Sequence, residues 1–346
     1  MSAILPPMPD FVVPFERILA AREVVATAVH RTPMLSSTTA ASYVRAASGV
    51  RVAHERVFVK AEHLQVTGSF KPRGMTAKVA SLTPDQRATG IVTLSAGNAG
   101  QGYAWAGGRA GVPTVVVMPA GAVQSKVDAC RGYGAEVVLY GAHVGETFAR
   151  MEEIRDERGL TFAHPFDDPH VIAGHGSLGL EIVDDLPEAD VLVVGIGGGG
   201  LISGVAAAVK ERRPAVRIYG VEPVASNAMS LALERGEPVT IQPVSVADGL
   251  NAPFAGSWTM AMCRRYLDGI VLLDEATILA GLSFAAGRMK QVLEPAGSAA
   301  LGAVLAGRIP LSDGDTVCVL ASGGNVAIDR LGPLVDAAGT LPGDAR

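Results

Sequence analysis

Eight short runs of β-branched and aliphatic residues recur along the chain: "VFVKA", "GIVTLSA", "PTVVVMP", "EVVLY", "VLVVGI", "VRIYGVEP", "GIVLLD" and "TVCVLAS". They constrain the fold more than any other feature. A strand with one wet face would alternate apolar and polar residues, because successive side chains point to opposite faces. These runs do not alternate strictly, so they predict strands buried on both faces, in a mostly parallel sheet covered by helices. Between most of them lie helix-length stretches rich in Ala, Glu, Arg and Leu, at 98–110, 122–132, 144–158, 200–213 and 275–291. That alternation gives a doubly wound α/β architecture. A length of 346 residues suits two such units. Residues 86–164 read as a small unit set inside a larger one built from 1–85 and 165–346.

Hydrophobic residues make up 49% and charged residues 18% of the chain, enough to bury a large core. The net charge is −5 and the one basic run is "KERRP", which speaks against a nucleic-acid partner. Cys130, Cys263 and Cys318 are scattered and form no C-x-x-C pair. They read as reduced thiols of a cytoplasmic protein. The start, "MSAILPPMPDFVVPFE", has no basic n-region and is not a secretory signal. The uncharged stretch 191–209, "VLVVGIGGGGLISGVAAAV", could be mistaken for a membrane span. Its four central glycines predict a strand, a turn and a helix instead, so no membrane partner is expected. The tail "AAGTLPGDAR" reads as frayed.

In open α/β sheets, ligands bind beyond the carboxyl ends of the strands. Three predicted strand ends carry small-residue loops: Ser95 to Gly102, Gly195 to Leu201, and Ala321 to Asn325. Gly197, Gly198, Gly199 and Gly200 open a helix with unobstructed backbone N–H groups, a cradle for phosphate. A close-packed turn would need fewer glycines. Gly195-x-Gly197-x-x-Gly200, with Glu222 ending the next strand, also satisfies a dinucleotide fingerprint. A nicotinamide-dependent dehydrogenase is therefore a rival, and a non-catalytic binding protein a third reading. The dehydrogenase leaves unexplained Lys71, one of six lysines, which sits in the small-residue loop "TGSFKPRGM". A phosphate cradle and such a lysine read together as a site for a phosphorylated aldehyde, pyridoxal 5'-phosphate, held as a Schiff base.

The chain resembles the fold type II pyridoxal-phosphate enzymes, above all the threonine/serine dehydratases (threonine ammonia-lyases) and serine racemases. "TGSFKPRGM", "SAGNAGQG", "PFDDPHVIAGHGSLGLEI", "GIGGGGLISG", "YGVEP", "ADGL", "LEPAGSAAL" and "SGGN" occur in the family's order across nearly the whole chain. The resemblance implies a fold similar to tryptophan synthase β, with two doubly wound α/β domains and the cofactor between them. It implies that Lys71 holds the cofactor and then removes the substrate's Cα proton. Phe70 would pack beside the cofactor ring, Asn98 would bond its phenolic oxygen, and Ser322 would meet its pyridine nitrogen. Gly197 to Gly200 with Leu201 would hold the phosphate, itself the acid that helps the hydroxyl leave. Ser95, Ala96 and Gly97 would hold the substrate carboxylate. The implied reaction converts a β-hydroxy amino acid such as L-threonine or L-serine to a 2-oxo acid and ammonia. Substrates such as 3-hydroxyaspartate, phenylserine or an intermediate of hydroxyectoine breakdown remain open, and a homodimer or homotetramer is implied.

The departures carry expectations of their own. Ala99 stands where the family usually has His, which implies either a wider substrate pocket or a neutral change. Ala96 replaces the serine that serine racemases carry, which argues against racemisation. The family's cation ligands are Glu of "VEP" and an Asp six residues on; here Glu222 is followed by Asn227 and Ala228, so no metal site is expected, with Glu222 as the only candidate ligand. Only 21 residues follow Asn325 (346 − 325), so feedback through a regulatory domain is not expected. His164, His170 and His175 fit no metal-ligand spacing and are read as loop and turn residues.

Overall fold

Two sheets form the frame of the computed structural model, which describes residues 11–344. Most of the start read above as lacking a signal lies outside them. The strands are β1 Met34–Ser37, β2 Val57–Lys60, β3 Ile91–Leu94, β4 Thr114–Met118, β5 Glu136–Leu139, β6 Thr161–Phe162, β7 Val191–Gly195, β8 Arg217–Pro223, β9 Gly269–Leu273 and β10 Val317–Leu320. Six make one sheet in the order β1-β2-β10-β7-β8-β9, and four make another in the order β5-β4-β3-β6. All eight apolar runs are strands. Their pairings are parallel, and only β1 joins antiparallel, on β2. β1 and β6 were not anticipated: "MLSS" is a partly exposed edge without a β pattern, and β6 has two residues.

The central strands are buried on both faces, as Val191 to Val194 and Val317 to Leu320 show. Fully burying one such side chain is worth roughly 1.5–3 kcal/mol. The stretch that mimicked a membrane span is β7, a glycine turn and the helix Gly200–Arg212. That helix lies directly against the helix Pro169–Asp185: a Cβ on Gly204 would stand 2.1 Å from Ile172 O. No helix among the described residues is long and apolar enough to cross a membrane. The three cysteines are free and buried, and burial pushes each thiol up to about 12.

Three expectations need correction. Lys71 is not in a loop but is the first residue of the helix Lys71–Ala80, with Pro72 in the first turn, where its missing N–H costs nothing. His170 and His175 lie in the helix Pro169–Asp185, capped by Asp168, whose Oδ1 accepts from His170 N and Val171 N. The tail is tied down: Leu341 is buried, Gly339 N donates to Ala276 O at 3.0 Å, and Tyr43 Oη donates to Asp344 Oδ1 at 2.7 Å.

A buried ion network joins β2 to two helices. Arg73 is fully buried, donates to both oxygens of Glu62 at 2.8 and 2.9 Å, and to both oxygens of Glu181 at 2.7 and 2.9 Å. Lys60, also fully buried, meets Glu181 Oε2 at 3.0 Å and Asp185 Oδ2 at 2.9 Å. Burial pushes the Glu62 carboxyl up, but Arg73 and a bond from Thr32 outweigh it and hold it below its ordinary value. Its contribution to stability is therefore present above the unfolded pKa and is lost as pH falls through the folded one. Replacing Arg73 by methionine would leave Glu62 buried and unpaired. Arg73→Met is expected to lose about 3–5 kcal/mol of stability, read as a lower midpoint of urea unfolding; an unchanged midpoint would contradict the network's role.

Candidate active site

The carboxyl ends of β3, β7 and β10 open on one cleft, and the segment after β2 crosses it. Gly68, at a φ of +73°, turns that segment. Phe70 N then donates to Ser322 O at 3.1 Å, and Gly324 N donates to Gly68 O at 2.9 Å. These bonds stitch "TGSFKPRGM" to "ASGGN" and aim Lys71 into the cleft.

Lys71 Nζ donates to Pro165 O at 3.0 Å and stands 5.1 Å from the centre of the Phe70 ring. Burial lowers the amine to about 8, against an upward pull from the Glu294 carboxylate. Part of the side chain stays open to the cleft, but the desolvated amine is easier to deprotonate than a surface lysine. Phe70 packs edge-on to His175 at 4.8 Å. Burial drives His175 well below its ordinary value, and both ring nitrogens lack partners among the described residues. The helix Asn98–Ala110 presses on the lysine's helix at Gly102, where a Cβ would lie 3.0 Å from Lys71 Cβ.

Asn98 does not cap its helix; Gly97 holds the cap position. The Asn98 amide instead donates from Nδ2 to Glu294 Oε1 at 2.6 Å and accepts at Oδ1 from Asn325 Nδ2 at 2.8 Å. Ser95 Oγ accepts from Gly97 N at 3.2 Å, which leaves its own hydrogen free to donate. Ser95, Ala96 and Gly97 are partly exposed at the cleft. The Ala99 methyl is buried in an apolar cluster with Met75, Val79 and Tyr103. Ala99 is 5% exposed, so its methyl itself adds little open surface to the cleft.

The glycine loop is a shaped cradle. Gly197, Gly198 and Gly199 have no acceptor for their N–H groups among the described residues, and those of Gly200 and Leu201 are first-turn donors without intrahelical partners. Gly199 takes a φ of +89°, and a Cβ on Gly198 would lie 2.4 Å from the Phe166 ring. Phe166 is set by its neighbour: His164 Nδ1 accepts from Phe166 N at 3.2 Å and Asp167 N at 2.8 Å. Burial lowers His164 to about 4, so the ring is neutral and its proton sits on Nε2. Ser322 is nearly buried, and its hydroxyl has no partner among the described residues. Among the described residues Glu222 forms no salt bridge. Its two oxygens accept from Met229 N, Ser230 N and Ser230 Oγ, at the start of the helix Ala228–Arg235.

Unpartnered backbone donors at a helix start, a desolvated lysine and an idle hydroxyl define a site for a phosphate-bearing carbonyl compound. Residues 25–323 match the family described as "Pyridoxal-phosphate dependent enzyme", and the chain belongs to it. Among its relatives is an L-threonine ammonia-lyase of Geobacter sulfurreducens, 41% identical over 281 residues, covering 81% of this chain and 70% of the relative. A serine racemase of maize superposes with a TM-score of 0.86 at 31% identity, covering 93% of this chain and 96% of that one. The processed threonine deaminase isoform 2 of Solanum lycopersicum gives 0.86 at 30% identity, covering 98% and 95%. The nicotinamide reading of the glycine loop is thereby set aside. The acid it required, Glu222, is already committed to a helix start.

The residues fit the cofactor: the cradle suits its phosphate, Lys71 its aldehyde and Ser322 its ring nitrogen. Sequence reasoning gave no role to Glu294, Asn325, His164 or Phe166. For Glu294 a signal existed, since it is the single charged residue between Lys290 and Arg308. Overpacking of the cradle tests it. Gly198→Ala forces its new methyl against Phe166, a strain of about 1–3 kcal/mol. Equilibrium dialysis should show pyridoxal phosphate bound about tenfold or more weakly, and parental affinity would refute the cradle.

Proposed function

We infer that the chain is a pyridoxal-phosphate-dependent ammonia-lyase that dehydrates and deaminates a β-hydroxy amino acid such as L-threonine or L-serine. The observation that carries this reading is Lys71 Nζ, desolvated at a helix start and bonded to Pro165 O, next in sequence to Phe166, whose ring lies against the glycine cradle at Gly198. Relatives named L-threonine ammonia-lyase, in Geobacter sulfurreducens and Thermotoga maritima, support the substrate class.

Bound there, the cofactor supplies an aldehyde for the substrate amine and a conjugated ring that draws electrons from Cα. The chain's residues supply the remainder. Lys71 Nζ is the proton acceptor for Cα–H: at a pKa of about 8, an appreciable share of the amine is neutral near that pH. The free N–H groups of Gly197 to Gly200 and Leu201 anchor the phosphate. Phe70 backs the ring, and Asn98 fixes its orientation. The Ser95 hydroxyl and the Ala96 N–H, close before Asn98 in the sequence, are donors for a substrate carboxylate, and Gly97 N, which donates to Ser95 Oγ, sets that hydroxyl's direction. Ser322 offers a hydroxyl where a carboxylate would favour a protonated ring nitrogen. That restraint suits loss of a β-hydroxyl better than transamination.

In this reading residues 86–164 form the small domain, which closes over the substrate and excludes water. The ion pair of Lys126 with Asp248, 2.6 Å, ties it to the larger unit built from 1–85 and 165–346. The enzyme is cytoplasmic, in keeping with three free buried cysteines. It is a homodimer or homotetramer, in keeping with exposed apolar side chains such as Ile328 and Val244.

The purified protein should show a visible absorption band that borohydride abolishes, and should form 2-oxo acid from L-threonine or L-serine. Lys71→Ala should lose both properties, and a Lys71→Ala protein that kept its oxo-acid production would sink the assignment. Only a neutral amine attacks an aldehyde. The rate at which cofactor-free protein captures pyridoxal phosphate should therefore rise with pH and level off above about 8, and stopped-flow absorbance would expose a flat profile.

A further inference from the structure

Glu294 immediately precedes the helix Pro295–Leu305 and is 4% exposed. Its Oε1 accepts from Asn98 Nδ2 at 2.6 Å. The far end of the Asn98 amide is locked as well. Asn325 Nδ2 donates one hydrogen to Asn98 Oδ1 and the other to Thr67 O, each at 2.8 Å. Flipping the Asn98 amide would set its N–H against Asn325 and its oxygen against the carboxylate, two repulsions in place of two bonds. One Asn98 N–H is thus committed to Glu294 and the second is left over, with a direction fixed by its planar group. The space around the carboxyl is itself reserved: a Cβ on Gly323 would fall 2.3 Å from Glu294 Oε1.

We propose that Glu294 is a positioning residue that acts through Asn98: it presents the remaining Asn98 N–H to the phenolic oxygen of the cofactor, and its own proton controls how firmly. This rests on the site being a pyridoxal-phosphate site. The charged groups that face Glu294 are Lys71, Lys126 and Asp248. Burial and then Asp248 raise the carboxyl to about 7, against Asn98, Lys126 and the backbone N–H of Asn325. Glu294 also lines a cavity of about 450 Å³ with Gln101, Lys126, Asp248 and Asn325, a route by which protons reach it. A raised carboxyl is protonated below its pKa. Asn98 is therefore held by a charge-assisted bond above about 7 and by a weaker one below.

The test compares the parent protein, Glu294→Gln and Glu294→Ala. Affinity for pyridoxal phosphate is measured by equilibrium dialysis. The absorption spectrum of the bound cofactor is titrated from well below to well above pH 7. Glutamine still accepts from Asn98, so Glu294→Gln should keep affinity within about threefold yet lose the spectral change centred near 7. Glu294→Ala should bind about tenfold or more weakly and shift the absorption maximum. Parental affinity and maximum in Glu294→Ala, or an unaltered spectral titration in Glu294→Gln, would overturn the proposal. If circular dichroism shows Glu294→Ala unfolded, the Glu294→Gln titration decides alone. A parent protein that binds no pyridoxal phosphate brings down the proposed function first, before any variant is compared.

Discussion

Arg73 has no solvent to fall back on. Its guanidinium holds four carboxylate oxygens, two from Glu62 beyond the end of β2 and two from Glu181 in the helix Pro169–Asp185. Two such helices packed by aliphatic side chains alone could settle in neighbouring registers. A bidentate fork on each side admits one. Buried ion pairs seldom add much stability over well-packed apolar groups, but they penalise wrong arrangements severely. Lys71 sits two residues before Arg73, so the position of the reactive amine is inherited from that fork.

The rest of the site is built by backbone approach. β7, β10 and β3 each deliver a loop of small residues to the same cleft, and side-chain bulk is missing wherever two main chains meet. Gly297 lies so close to Gly323 that a Cβ there would stand 2.0 Å from its carbonyl oxygen. Bare N–H groups toward the ligand and bare Cα atoms toward the neighbouring element are two uses of one residue type, and both are concentrated here.

The frame was legible because strands covered on both faces must be apolar throughout, and no other short element needs that. The edge was not: β1 carries "MLSS", since an edge with part of its surface in water has little reason to be patterned. The helix under Lys71 was also hidden. "KPRGMTAKVA" contains a proline and a glycine and has no clean apolar stripe, and it is helical because Arg73 and Gly74 are held by tertiary contacts. The tail looked frayed by composition, yet Leu341 is buried and Asp344 accepts from Tyr43, 301 residues earlier. Ala99 shows the limit of reading a site from a loop alone. Ser95 to Asn98 before it are partly exposed, while its own methyl is buried in an apolar cluster. Glu294 was visible as an isolated charge, but its meaning depended on Asn98, which lies 196 residues earlier.

The contact between the helices Lys71–Ala80 and Asn98–Ala110 runs through Gly102. Helices that mesh by side-chain ridges move in steps, because a knob must leave one hole before it enters the next. At Gly102 no side chain holds the two main chains apart, while Met75, Val79, Ala99 and Tyr103 interlock around that point. The lysine's helix is therefore keyed to its neighbour on both sides of the closest approach, and the amine takes its height above the cleft from that key.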